Sequence, residues 1–215
     1  MANRSARRKG NHEADAGVEM ILSVQIEMLG SYLGTLAPLM DRYQRGELSF
    51  PDDALKWLDE AEKTMSRLRL PEGAEMSALR GRILKAADVS IGTENHMTRS
   101  AIRRARNAAA AEALERAEAI LRSRFLAAEE RLSLFEDKLC EGMTALMLQT
   151  PLPEKTLPHI ERLSRTWNLL RLQQSTRPLA LYLTASLTTF DRSFILDRVL
   201  SRVNEEELTP SLPQN

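Results

Sequence analysis

The sequence predicts an all-α protein, about six helices organised around one helix of about 50 residues, with bundle or coiled-coil-like packing. Three observations predict it. Ala, Leu, Arg and Glu abound in the 215 residues, a mixture that favours helix because straight-chain side chains and alanine lose little rotamer freedom there. Val, Ile and Thr never form the alternating runs that a half-buried strand needs. Apolar residues recur at helical spacing between the proline clusters, most regularly between Leu114 and Leu146.

Residues 1–12 form a polar, basic arm (Arg4, Arg7, Arg8, Lys9) without an apolar anchor, a composition that predicts disorder. One helical domain is expected over 13–204. Its first helix, 13–44, carries Val18, Leu22, Ile26, Leu29, Leu33, Leu36, Met40 and Tyr43 at a period of about 3.57 residues. A second row (Ile21, Val24, Met28, Tyr32, Leu39) widens that face. Gly30 and Gly34 offer one side for close approach of another helix, and Pro38 is expected to kink or weaken the last turns. Pro51, Asp52 and Asp53 mark the second start, because proline sacrifices no hydrogen bond in a first turn and carboxylates complement the dipole there. This helix buries Leu55, Leu58, Ala61, Met65 and Leu68 and stops before Pro71. A third, 74–88, buries Met76, Leu79 and Ile83 and ends at a turn over 90–95, so the N-terminal helices fill 13–90.

The long helix is expected over 98–149, spanning roughly 75 Å at 1.5 Å per residue. Leu114, Ala117, Leu121, Phe125, Ala128, Leu132, Phe135, Leu139, Met143 and Leu146 recur every 3.56 residues or so, between the values for a supercoil and a straight helix (about 3.5 and 3.6). Glu112 with Arg116 and Glu118 with Arg122 make supporting i,i+4 pairs. Pro151 and Pro153 end it. A C-terminal hairpin over 154–204 follows. Its fifth helix, 154–174, turns Leu157, Ile160, Leu163, Trp167 and Leu170 inward; its sixth, opened by Pro178, turns Leu179, Leu183, Leu187, Phe190 and Phe194 inward. Residues 205–215 form an acidic, proline-containing tail, expected to be loose.

The 30 basic and 30 acidic residues cancel, so no global field points to nucleic acid, membrane or an acidic substrate. The lone Cys140 excludes an intramolecular disulfide and fits a reducing compartment. The apolar stretch 18–29, interrupted by Glu19, Gln25 and Glu27, is neither a signal peptide nor a membrane span, and a cytoplasmic home is expected. His12, His96 and His159 stand far apart without companions at ligand spacing, so neither metal nor cofactor is expected. The adjacent carboxylates Asp52/Asp53, Glu129/Glu130 and Glu136/Asp137 point about 100° apart on a helix and read as solvated surface or dipole complement.

The expected function is therefore non-catalytic: a helical interaction, scaffold or accessory subunit that self-associates or binds a protein partner through the long helix. Trp57, Leu114, Leu121, Phe125, Leu132 and Phe135 are its candidate interface. The alternative is a nucleic-acid-binding accessory or regulatory protein. Arg99, Arg103, Arg104 and Arg106 cluster at the start of the long helix, against the macrodipole, and Arg4, Arg7, Arg8 and Lys9 would add phosphate contacts. The third helix, the 90–95 turn and this arginine-rich helix follow the element order of a helix–turn–helix.

Overall fold

The computed structural model describes residues 21–92 and 98–208, with side chains over 21–86 and 98–203. Residues 205–208, expected in a loose tail, continue the last helix, whereas the basic arm, residues 93–97 and residues 209–215 lie outside the described residues. Those residues form seven helices and no strand: α1 (Leu22–Gln44), α2 (Phe50–Arg67), α3 (Gly73–Gly92), α4 (Arg99–Met147), α5 (His159–Leu172), α6 (Arg177–Ser186) and α7 (Thr189–Leu208).

α4 is unbroken for 49 residues. Thr98 caps it, its hydroxyl accepting from the Ala101 N–H at 3.3 Å, and the alanines at 108–111 carry it past Asn107 without interruption. Two hydrophobic cores share this helix. The first joins its Ala110–Leu121 stretch to α1, α2 and α3, with Leu29, Phe50, Leu58, Met65, Met76 and Ile83 fully buried. The second joins Leu132, Leu139, Met143 and Leu146 to Leu170 of α5, Leu183 of α6, and Ile195 and Val199 of α7. α1 runs along α4 and reaches from one core to the other, placing Leu22 in the second. Gly30 allows the approach: a Cβ there would sit 3.2 Å from Phe125 Cε2, whereas Gly34 faces open space. α1 continues through Pro38, which lies exposed with Gly34 one turn earlier, so the carbonyl that proline leaves unpaired faces water.

The long seam is thus sheathed by its own chain. Leu114 (0%), Leu121 (1%), Leu132 (2%) and Phe135 (6%) are buried inside the two cores, and Phe125 packs on Gly30. These expected interface residues are internal contacts, because α1 covers one half of the stripe and the C-terminal helices cover the other. Trp57 is also engaged, its Nε1 donating to Thr35 Oγ1 at 3.0 Å and its ring meeting Tyr32 edge-on.

Several boundaries differ from expectation. α1 begins at Leu22, after an extended Ile21. α3 remains helical to Gly92, through the start of the expected turn. α5 begins at His159 because prolines at 151, 153 and 158 hold the preceding segment out of the helical region. The expected sixth helix is two. It breaks at Leu187–Thr188, where Leu187 is extended (φ −132°, ψ 146°) and the Thr188 hydroxyl accepts from the Asp191 N–H at 3.0 Å, starting α7. The break turns Ile195, Leu196, Val199 and Leu200 inward and leaves Phe190 (57%) and Phe194 (39%) in solvent. Ile160, in the first turn of the late-starting α5, is exposed as well.

Candidate functional site: the outer edge of α7 and its two grooves

Asp191, 1% exposed, fixes α7 against the start of α1. Its Oδ2 accepts from the Leu22 N–H at 3.0 Å and from Thr188 Oγ1 at 3.0 Å; its Oδ1 accepts from the Ser23 N–H at 3.0 Å and Ser23 Oγ at 2.6 Å. α1 has no side-chain cap of its own and no acid in its first turn. A carboxylate from another helix satisfies two of its orphan donors and complements its dipole.

With α7 so placed, Phe190 and Phe194 are exposed one turn apart on it, and two grooves are lined by its residues. The first, about 540 Å³, lies between α4 and α7 and is closed at one side by Ser23 and Ile26 of α1. Leu126, Glu129, Glu130, Ser133 and Glu136 make its α4 wall, and Phe194, Arg198 and Arg202 its α7 wall. At the base Glu136, 2% exposed, ties the walls together. Arg202 Nη2 donates to its Oε2 at 3.0 Å, and Arg198 Nη1 lies 2.9 Å from its Oε1. Arg198 also covers the Phe194 ring, 5.6 Å from its centroid. The second groove, about 330 Å³, separates α5 from α7 and is walled by Ile160, Leu163 and Trp167 against Thr189, Ser193 and Leu196. Arg192 lies over the Trp167 ring at 5.3 Å.

The arginine cluster lies at the opposite end of α4. Arg99, Arg103 and Arg104 are exposed and make no ion pair among the described residues. Arg106 is different: its Nη2 sits 2.7 Å from Asp52 Oδ1, so it anchors α4 to the start of α2. Arg4, Arg7, Arg8 and Lys9 lie outside the described residues. His159 Nε2 is 3.3 Å from Asp197 Oδ1, while His12 and His96 fall outside the described residues. Among the described residues no group of His, Cys, Asp or Glu is placed to hold a metal ion. Cys140 is half-buried in the second core; burial pushes its thiol above the ordinary value, with the Arg202 charge pulling the other way. No described helix is long and apolar enough to cross a membrane.

The residues of this site escaped sequence reasoning for one reason. Phe190 and Phe194 continue the apolar row of Leu179, Leu183 and Leu187 in one helical register, and only the break at Leu187–Thr188 turns them out. The signal for the break was present as Thr188-Thr189-Phe190-Asp191, a helix-capping pattern inside an apolar run. No family model, curated protein or solved structure matches the chain.

Proposed function

We propose that the chain is a non-catalytic helical interaction protein of the cytoplasm whose working surface is the outer edge of α7 with its two grooves. The placement of uncovered apolar side chains supports this most. Among the large hydrophobic residues left exposed, Phe190 and Phe194 lie on this edge, and Leu126 and Ile160 line its two grooves. Complete burial of such a side chain is worth roughly 1.5–3 kcal/mol, of which these partly exposed ones forgo a part, and an apolar ridge rimmed by arginines has the make-up of a protein-binding surface. On this reading α4 is a beam that presents the surface, and its own apolar seam takes no part in binding. A photo-crosslinking amino acid at Phe190 or Ile160 should trap a protein, self or other, in the cell, while one at exposed Leu48 of the first half should not. Absence of adducts at both Phe190 and Ile160 would sink the proposal.

A second reading, nucleic-acid binding, is favoured by Arg99, Arg103 and Arg104, which are exposed and make no ion pair among the described residues. Three phosphate contacts would give a log–log salt slope of about −2.7 on duplex DNA. Arg103→Glu with Arg104→Glu should abolish the binding, whereas Arg106→Glu should mainly cost stability through Asp52. No retention of the unaltered chain on DNA or RNA at low salt ends this reading.

A further inference from the structure

We propose that the groove between α4 and α7 is a self-pairing surface whose occupant is a second copy of this chain. The inference rests on the reading of the α7 edge as a protein-binding surface, and it names the partner from the distribution of charge across the groove. On the α4 wall, Leu126 is followed one turn later by Glu129 and Glu130, both exposed and without an ion-pair partner among the described residues. On the α7 wall, Phe194 is followed by Arg198 and Arg202. Both arginines engage Glu136, yet their side chains stay 47% and 49% exposed. A guanidinium has five N–H donors, so each keeps several facing the groove.

The two walls therefore carry opposite charge, with Glu129 and Glu130 within one turn of Leu126 on α4 and Arg198 and Arg202 one and two turns past Phe194 on α7. A two-fold axis running along the groove exchanges them. Contacts across such an axis are reciprocal: if one residue meets another on the partner, the second meets the first. The acidic α4 wall of one copy would then face the basic α7 wall of the other, twice over, with Leu126 and Phe194 inside the same seam. Within one copy the two arginines reach across only to Glu136, and Glu129 and Glu130 make no ion pair with either of them. Any unrelated partner would have to present an acidic and a basic wall in the complementary arrangement; this chain already carries both.

Light scattering and sedimentation of the full chain, from about 1 to about 100 µM, the span suited to a small polar interface, test the proposal. The expected result is a reversible dimer that weakens as salt rises, since exposed charge pairs are screened. Glu129→Arg with Glu130→Arg, at exposed positions that leave the fold intact by circular dichroism, should weaken the dimer by at least about tenfold, as should Phe194→Asp. A monomer throughout that range, or a dimer indifferent to both variants, overturns self-pairing. A monomer whose Phe190 crosslinks still trap another protein overturns self-pairing and leaves the wider proposal standing; a monomer without adducts overturns both.

Discussion

Replacing Asp191 by alanine should do more damage than any other single change to a charged residue of this fold. The carboxylate accepts four hydrogen bonds, two from the backbone of Leu22 and Ser23 and two from the hydroxyls of Ser23 and Thr188. The hydroxyls can rotate towards other acceptors; the two backbone N–H groups cannot. Leu22 is 6% and Ser23 8% exposed, so water has little access to replace the lost acceptor. An unsatisfied buried donor costs about 1–3 kcal/mol, and two of them give about 2–6 kcal/mol for Asp191→Ala. Ser23→Ala removes one hydroxyl bond and keeps both backbone bonds, so its cost should stay near 1 kcal/mol. Urea titration measures both. Amide exchange adds the location: the α1 amides of residues 22–25 should lose protection in Asp191→Ala while those near Leu36 keep theirs. An Asp191→Ala protein within about 1 kcal/mol of the parent, with an unchanged first turn of α1, would refute the reasoning.

Three further outcomes follow from the same structure. Glu136→Gln should cost about 1–3 kcal/mol by urea titration, less than a fully buried ion pair because both guanidinium partners are half in water. Gly81→Ala should stabilise by about 0.5–1 kcal/mol, since Gly81 is exposed within α3 and an added Cβ meets nothing within 4 Å; a lower melting temperature would contradict this. The Cys140 thiol is held above its ordinary pKa by burial, so its alkylation rate should climb at higher pH than that of free cysteine. The folded state then keeps its proton longer than the unfolded chain. That contribution to stability is full below the ordinary thiol value and is lost as pH rises through the raised one. An alkylation profile at or below that of free cysteine would contradict the assignment.

The long helix was legible because its signal is local: ten apolar residues in one register, a threonine before it and prolines behind. What covers that register was not legible. Whether α1 and α7 of the same chain or a second chain meets Leu114 and Leu132 depends on distances between segments far apart in sequence, and periodicity within one helix is the same either way. The start of α7 was legible in principle, but the capping residues Thr188 and Asp191 were outvoted by an apolar row that runs past them. Asp191 as the acceptor for α1 and Asp52 as the partner of Arg106 carry no sequence mark; both are polar residues in a first helical turn, where acids are favoured anyway. The α4–α7 groove was hidden for the same reason, because Glu129 and Glu130 look like any solvated helix surface until Arg198 and Arg202 stand opposite.

The tie between Asp191 and α1 also orders events during synthesis. The donors at Leu22 and Ser23 are made 169 and 168 residues before their acceptor. The body of α1 gains its main neighbours as soon as the first half of α4 has emerged, yet its opening turn lacks its carboxylate acceptor until the first turn of α7 has been made. The two ends of one helix therefore assemble at different times, the interior against local partners and the tip against a late arrival. Contacts of such long sequence separation close slowly. A nascent chain halted before residue 191 should hold a packed first core with a frayed start to α1, and release of the remaining residues should seal it.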